Sequence, residues 1–257
     1  MSSIGSKICF DKSRYVIYQP YPGLHLAYHA KRFILSRKSK YQQIDIIDND
    51  AYGRTLFLDK NLQHTEYDAE IFNEALCGPA KRERIHTAIV LGGGSGQTVR
   101  ALLQSKNIEH VTVAEIDAVL VESCKRYIKG MKLAFDDPRV KVRICDAFTY
   151  LHATTERFDA AIIDLTEKPL RIKSEYSTLK RAYADIKAKC KGRCSQYIGS
   201  TVALANTPLR KVARELTKKV LSRVRFEDVF IPSFGAPHTF IHTGYKRQNG
   251  ISSLDGK

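Results

Sequence analysis

Residues 89–97, IVLGGGSGQ, decide the fold of this chain. A short apolar run ends in three glycines, and a serine and a fourth glycine follow. Glycines in this number are typical of a turn whose backbone takes positive φ or passes very close to another group. We therefore expect a functional turn at the end of a buried strand, with something held close to its backbone.

From residue 86 onward, strand-like and helix-like segments alternate. Strands are predicted at 87–91, 110–114, 140–145, 160–163, 196–203 and 226–231, with a last strand within HTFIHTGY at 238–245. Helices are predicted near 97–105, 118–129, 148–155, 176–190 and 208–222. This alternation predicts a Rossmann-like α/β fold, a doubly wound and mostly parallel sheet with helices on both faces.

The part of the chain before this alternation has a different pattern. Residues 41–59, YQQIDIIDNDAYGRTLFLD, predict a hairpin in which two strands flank the turn-forming DNDAYG. We therefore expect a small N-terminal β-domain over residues 1–66 and a Rossmann-like domain over residues 67–257. In EYDAEIFNEAL, Tyr67, Ile71 and Ala75 share one helical face, which predicts a helix leading into the second domain.

The predicted strands end in glycines and acids. The first ends in the glycine turn, and the next three end in Glu115, Asp146 and Asp164. Because the carboxyl ends of parallel strands meet at one edge of a sheet, we expect these groups at a single ligand-binding rim. An acid about 20 residues beyond the glycine turn typically accepts hydrogen bonds from a ribose. The pattern favours an adenosine-type ligand over a purely structural glycine turn.

The details of the turn favour S-adenosylmethionine chemistry over a nicotinamide dinucleotide. The string is not G-x-G-x-x-G: residue 97 is Gln, and Val99 stands where a pattern starting at Gly94 requires its third glycine. Asp146 suits an adenine amino group, which leaves Asp164 for the reaction. We expect a nucleoside co-substrate and no metal.

Composition limits the other classes. The chain has 257 residues, with 42 Lys and Arg against 27 Asp and Glu, a formal net charge of +15. The basic residues are spread out and interrupted, which favours a solvated basic surface over nucleic-acid binding. No apolar stretch approaches the roughly 18 residues of a membrane span, and the N-terminus lacks a secretory apolar region. We expect a cytoplasmic protein whose six scattered cysteines are reduced.

Ordered motifs over about residues 36–245 resemble the spermidine synthase family of polyamine aminopropyltransferases. They are SKYQQIDI, YGRTLFLD, LQHTEYDAEIFNEAL, GGGSGQTVRALL, VAEID, FDDPRVKVRICDAF, FDAAIIDLT and IPSFGAPHTF. The resemblance implies transfer of an aminopropyl group from decarboxylated S-adenosylmethionine to a small amine such as putrescine. It also implies a small N-terminal β-domain before the Rossmann-like domain, and a homodimer.

Carried over residue by residue, the resemblance implies two groups of site residues around Asp164, which matches the family's catalytic acid. The donor-binding residues are Gln42, Gln63, Gly92, Gly94, Ser95, Glu115, Asp146 and Ala147. The acceptor-binding residues are Phe72, Asn73, Glu167 and His238. An alkylamine with a pKa near 10.4 must lose a proton before it attacks, and a carboxylate at Asp164 is suited to orient it or to take that proton.

Several positions depart from the family pattern. Ser95 stands where the family usually has an acid that binds the amino group of the donor, and Glu167 replaces a second Asp. Phe72, Asn73 and His238 replace a usual Tyr, a usual His or Gln, and a usual Trp. Serine forms hydrogen bonds but does not neutralise a cation. These changes leave the choice of donor and acceptor open.

The loop after Asp164, LTEKPLRIK, departs as well, because it lacks the usual Asp-Pro and Gly-Pro run and carries Lys168, Arg171 and Lys173. Three cations near an active-site mouth would repel a polycationic acceptor. A second hypothesis is therefore that S-adenosylmethionine itself donates a methyl or an aminocarboxypropyl group to an amine. A catalytically silent homologue that binds or regulates a partner is a third hypothesis, and a basic nucleic-acid-binding protein is a fourth.

Overall fold

The computed structural model describes residues 14–21, 24–165, 172–201 and 208–246. It divides into two compact units, Met1–Tyr67 and Asp68–Lys257. The described part of the first unit consists largely of antiparallel strands, and that of the second alternates strands and helices. The α/β class with a preceding small β-unit, predicted from the sequence, is confirmed.

Six strands form the first unit. In chain order they are β1 (Tyr15–Tyr21), β2 (Leu24–His29), β3 (Arg32–Lys38), β4 (Gln43–Asn49), β5 (Gly53–Leu58) and β6 (Asn61–Thr65). β1 pairs with β2, and β3 to β6 form a four-stranded sheet in chain order. The predicted hairpin is β4–β5, and its turn is stabilised by Asn49, whose side-chain oxygen accepts from the Ala51 and Tyr52 N–H groups at 2.9 Å. Sequence analysis missed β3 because most of its side chains are exposed, so apolar and polar residues do not alternate along it.

The second unit is built on a seven-stranded sheet. Its strands are β7 (Thr87–Gly92), β8 (His110–Glu115), β9 (Val140–Ile144), β10 (Ala160–Asp164), β11 (Cys194–Ser200), β12 (Arg225–Ile231) and β13 (Ala236–Thr243). The order across the sheet is β12-β13-β11-β10-β7-β8-β9. Neighbours from β11 to β9 are parallel, whereas β13 is antiparallel to both β11 and β12. The strand order reverses between β7 and β10, the position where such sheets bind ligands.

Seven described helices pack on this sheet. They are α1 (Ala69–Arg82), α2 (Gln97–Leu103), α3 (Ala118–Tyr127), α4 (Met131–Phe135), α5 (Ala147–Ala153), α6 (Ile172–Lys189) and α7 (Pro208–Val220). α1 to α4 form one contiguous group and α5 to α7 another. The central strands are apolar along their length, with Ile89, Leu91 and Ile163 in the main core. A sheet covered on both faces needs such strands, because neither face meets water.

Three details differ from the sequence-based expectation. α1 begins at Ala69, so Tyr67 lies outside it, and Tyr67 and Ile71 are exposed. The predicted helix is present, and its buried residues include small and polar ones such as Asn73 and Cys77, for which apolar spacing gives little signal. β11 ends at Ser200 instead of continuing to 203, and residues 202–203 lie outside the described part. The short helix α4 was not predicted.

Candidate functional site

The glycine turn after β7 passes close to the protein's own strand ends. Gly92, Gly93 and Gly96 have φ of +87°, +79° and +80°. A Cβ on Gly92 would lie 2.2 Å from the Asp164 backbone oxygen, and one on Gly94 would lie 2.8 Å from Glu115 Oε2. Side chains are therefore excluded at both positions. The turn brings β7, β8 and β10 together at one rim.

Glu115 ends β8 and is buried directly beneath this turn. Its Oε2 accepts from the Gly94 N–H at 3.0 Å, and its Oε1 accepts from the Asp117 N–H at 2.9 Å. Burial raises the pKa of Glu115, and these backbone hydrogen bonds partly oppose the rise. The carboxylate therefore fixes the turn while remaining available at the rim, since each oxygen has two lone pairs.

Asp146 and Ala147 follow β9 at the same edge of the sheet. Asp146 is exposed and caps α5, its Oδ1 accepting from the Thr149 N–H at 2.7 Å, whereas Ala147 is buried. Next to them, Ile116 and Ile144 are 38% and 52% exposed. Sequence analysis missed these two apolar side chains, although their position beside an acid at a strand end was a usable signal. They offer flat apolar surface next to the carboxylates.

Ser95 is the half-buried residue of the turn. The Gln97 N–H donates to its Oγ at 3.4 Å, a long hydrogen bond at the start of α2. We define the glycine–acid rim as Gly92–Gly96, Glu115, Asp146 and Asp164.

Asp164 ends β10 and pairs with Gly92 in the sheet. Its backbone oxygen accepts from the Gly93 N–H at 3.0 Å, and its Oδ2 accepts from the Thr98 hydroxyl at 2.5 Å. Burial raises the pKa of Asp164, and the Thr98 hydrogen bond opposes this rise. The carboxyl group thus lies at the point where the strand order reverses. Sequence analysis missed Thr98, because nothing in the spacing of the turn indicates its partner.

Five ring side chains form an aromatic cluster, defined as Phe72, Tyr197, Phe234, His238 and Phe240. The Phe72 ring centroid lies 5.0 Å from that of Tyr197 and 5.3 Å from that of Phe240. His238 stacks on Tyr197 at 5.6 Å and meets Phe234 edge-on at 4.6 Å.

The cluster lies beside Asp164 in the sheet. Gln196 pairs with Ile163 in the parallel β10–β11 ladder, so Tyr197 comes level with Asp164 on the next strand. Burial lowers the pKa of His238 to about 4, which keeps its ring neutral at pH 7. The Tyr197 hydroxyl lies 2.7 Å from His238 Nδ1. Sequence analysis predicted Phe72 and His238 but missed Tyr197, although an aromatic residue at that strand level was a usable signal.

The remaining predicted site residues are less closely placed. Asn73 is buried on α1, and its Nδ2 has no hydrogen-bond partner within the described ranges. Gln42 and Gln63 belong to the first unit, where Gln42 is buried and Gln63 Nε2 donates to the Asn61 and Leu62 carbonyls at 3.3 and 3.1 Å. Their role toward a ligand stays a prediction. Glu167, like Lys168 and Arg171 of the same loop, lies outside the described residues, and α6 begins just before Lys173.

The described part of the chain contains no group of three or more His, Cys, Asp or Glu side chains placed to hold a metal ion. Its cysteines are free thiols, and burial raises the pKa of both Cys190 and Cys194. None of its helices has both the length and the hydropathy of a membrane span.

Two family models cover most of the sequence. The model described as the spermine/spermidine synthase domain matches residues 67–249, and the model described as the spermidine synthase tetramerisation domain matches residues 15–66. The chain belongs to the spermine/spermidine synthase family. The glycine–acid rim and the aromatic cluster both lie within the longer match.

Individual relatives agree with this assignment. A polyamine aminopropyltransferase of Sulfurisphaera tokodaii is 30% identical over 82% of this chain and 71% of its own length. One of Pyrobaculum aerophilum is 42% identical over 52% of this chain and 48% of its own length, so the chain spans about half of that relative. Among solved structures, a spermidine synthase in complex with the transition-state analogue AdoDATO matches with a TM-score of 0.82. It is 23% identical, over 90% of this chain and 81% of that one, which supports the fold.

Proposed function

We propose that the protein transfers an aminopropyl group from decarboxylated S-adenosylmethionine to an amine acceptor. The observation that carries this proposal is the position of Asp164, between a nucleoside-type rim and a cluster of neutral rings. Family membership supports the reaction class, and a related spermidine synthase binds the transition-state analogue AdoDATO. We also propose residues 1–66 as the N-terminal β-domain and residues 67–257 as the catalytic domain, a division that the family matches over 15–66 and 67–249 support.

The glycine–acid rim supplies the proposed donor site. Glu115 accepts hydrogen bonds from the ribose hydroxyls, and Asp146 accepts one from the adenine amino group. Ile116 and Ile144 offer apolar contact to the base, because both are exposed at adjacent strand ends. The proposed donor contacts also include Gly92, Gly94, Ser95 and Ala147, and, on the resemblance alone, Gln42 and Gln63.

The chemistry of the transfer needs little beyond positioning and one proton acceptor. The amine nitrogen attacks the carbon bonded to the sulfonium, the carbon–sulfur bond breaks with its electron pair going to sulfur, and a neutral thioether leaves. The acceptor ammonium has a pKa near 10.4, so freeing its lone pair at pH 7 costs about 4–5 kcal/mol. Ionised Asp164 orients that ammonium and takes its proton. Alignment of nitrogen, carbon and sulfur supplies the rest of the rate enhancement.

The aromatic cluster supplies the proposed acceptor side. Phe72 and His238 are contacts for the alkyl chain of the acceptor, and ring faces attract its ammonium group. A neutral His238 does not repel that cation, since burial keeps its pKa at about 4. Asn73 and Glu167 complete the proposed acceptor contacts. The proposed contact with Asn73 is supported by its buried side-chain amide, because Nδ2 has no hydrogen-bond partner among the described residues.

A second candidate keeps the site and changes the donor. Ser95 stands half-buried on the turn where an acid would reject the carboxylate of S-adenosylmethionine. With serine there, S-adenosylmethionine itself could give a methyl or an aminocarboxypropyl group to an amine.

One experiment tests both candidates. The protein is incubated with either donor and a panel of diamines, and the nucleoside product is identified by mass spectrometry. Methylthioadenosine from decarboxylated S-adenosylmethionine supports aminopropyl transfer, and S-adenosylhomocysteine indicates methylation. Absence of both products, with donor binding retained, would favour a silent homologue. The matched control is Asp164→Asn, which we expect to bind the donor and to release product two to four orders of magnitude more slowly.

The assembly and location of the protein are further proposals. We expect a homo-oligomer, at least a dimer, because residues 15–66 match a model named for tetramerisation. Light scattering coupled to size-exclusion chromatography gives the copy number directly. We also propose that the enzyme works in the cytoplasm on small amines, with no nucleic-acid partner.

A further inference from the structure

Asp164 is tied to the glycine turn by two separate contacts. Its backbone oxygen accepts from the Gly93 N–H at 3.0 Å, and its side-chain Oδ2 accepts from the Thr98 hydroxyl at 2.5 Å. Thr98 is the second residue of α2 and is 1% exposed. A β-branched side chain in a helix has few accessible χ1 rotamers, and the burial of Thr98 limits further where its hydroxyl can point.

The two carboxylate oxygens of Asp164 are consequently not equivalent. Oδ2 faces the Thr98 hydroxyl, whereas Oδ1 has no hydrogen-bond partner in the described ranges of the chain. Asp164 retains partial solvent exposure even though its strand neighbours are buried. One oxygen is thus occupied by the protein, and the other has no hydrogen-bond partner among the described residues.

The charge of Asp164 depends on the same contact. Burial raises the pKa of its carboxyl group, and the Thr98 hydrogen bond is the interaction that opposes the rise. The titratable side chain that faces it from α1 is Cys77, which is buried and neutral at pH 7, because burial and the negative charge of Asp164 both raise the pKa of this thiol. No described cation pairs with Asp164. The Thr98 hydroxyl is therefore the described side chain that favours the charged form of Asp164.

From this geometry we infer that Thr98 is a positioning residue for the transfer reaction, holding Oδ2 of Asp164 so that Oδ1 is presented to the acceptor amine. The inference rests on the proposed function for its catalytic consequence. The structural part of the inference is that the hydroxyl orients Asp164 and favours its charged form. This part does not depend on which amine or donor is used. Thr98 itself touches neither substrate.

The test compares Thr98→Val, which removes the hydroxyl at nearly constant shape, with Thr98→Ser, which keeps it. In Thr98→Val we expect kcat to fall about ten- to a hundredfold, the range expected for a lost hydrogen bond to a charged group. The acid limb of the kcat–pH profile should move to higher pH, because Asp164 then binds its proton more tightly. The donor Kd should stay within a factor of about two, and Thr98→Ser should recover most of kcat and the parental pH profile.

A second measurement makes the outcome independent of turnover. Carboxyl-carbon NMR titration of Asp164, assigned with Asp164→Asn, should show a higher pKa in Thr98→Val than in the parent and in Thr98→Ser. If the parent turns over no donor yet this shift is present, the proposed function fails and the role of Thr98 stands. The inference is overturned if Thr98→Val keeps the parental kcat and Asp164 pKa, or if Thr98→Ser is as impaired as Thr98→Val, since the methyl group would then be what matters.

Discussion

The glycine–acid rim, which includes Asp164, and the aromatic cluster, whose Tyr197 lies level with Asp164 on the next strand, are built in opposite ways. The rim uses backbone N–H groups and carboxylates from the ends of β7, β8, β9 and β10. The cluster brings rings together from α1, β11, β13 and the turn before β13. Directed hydrogen bonds recognise a ligand with fixed polar groups, such as a nucleoside, whereas ring faces accept a flexible apolar chain with a cationic end. This difference supports our proposal that the first region binds the donor and the second binds the acceptor.

The most severe test of this comparison is Asp164→Asn, because this residue lies on the rim, level with the aromatic cluster, and is the proposed proton acceptor. We expect turnover to fall by two to four orders of magnitude, about the contribution of general-base catalysis. Donor binding, measured by calorimetry, should remain nearly unchanged. If the variant turns over at the parental rate, Asp164 is a structural residue between the two regions and does not take part in the reaction.

The same variant carries its own control for folding. A raised pKa means that Asp164 favours the folded state below its ordinary pKa, and that this contribution is lost as the pH rises through the folded-state value. At pH 7 the buried carboxylate therefore costs stability. We expect Asp164→Asn to unfold at the same temperature as the parent or higher, so lost turnover would not reflect a lost fold.

A second test addresses the neutrality of the aromatic cluster. The pKa of His238 falls from 6.5 to about 4 on burial. Below pH 6.5 the unfolded chain therefore binds a proton at this ring that the folded chain does not bind. The contribution of this ring to the free energy of unfolding is complete above pH 6.5 and is lost as the pH falls toward 4. The loss amounts to about 3 kcal/mol. His238→Phe should remove that loss. Denaturant unfolding at pH 8 and pH 4.5 measures it, and equal pH dependence in parent and variant would show that the ring is not held neutral.

A third test concerns the rim alone. Glu115→Gln should weaken donor binding by about 1.5–3 kcal/mol, the range for a hydrogen bond to a charged group, while acceptor KM changes little. Glu109→Gln is the matched control, since Glu109 is an exposed acid that precedes the same strand at its opposite end. If both variants bind the donor equally well, Glu115 serves the turn and not the ligand.

The smallest expected effect is at Ser95. Ser95→Asp places a carboxylate on the glycine turn, where it should attract the amino group of decarboxylated S-adenosylmethionine and repel the carboxylate of S-adenosylmethionine. We expect the ratio of the two donor affinities to shift by on the order of 1–2 kcal/mol. Dissociation constants for both donors on parent and variant decide the point. An unchanged affinity ratio would mean that a residue other than Ser95 selects the donor.

Much of the rim could be predicted because its information is local. Gly92, Glu115 and Asp164 each end a strand of an alternating pattern, and parallel strands bring those ends to one edge. The buried face of α1 could not be predicted in full, for the converse reason. Ile71 is apolar and exposed, whereas Asn73 is polar and buried, so the burial of these two residues does not follow hydropathy.

The sequence by itself determined the fold class, the point where the strand order reverses and the carboxylates of the rim. It did so because the periodicity of strands and helices, and the residues that end each strand, can be seen in short consecutive stretches. Only the tertiary structure decided which side chains meet across elements. It placed Tyr197 and His238 in one cluster and brought the Thr98 hydroxyl to Asp164, 66 positions apart in the chain. Such contacts depend on how whole helices and strands pack. The pattern of apolar residues along one segment does not indicate which other segment packs against it.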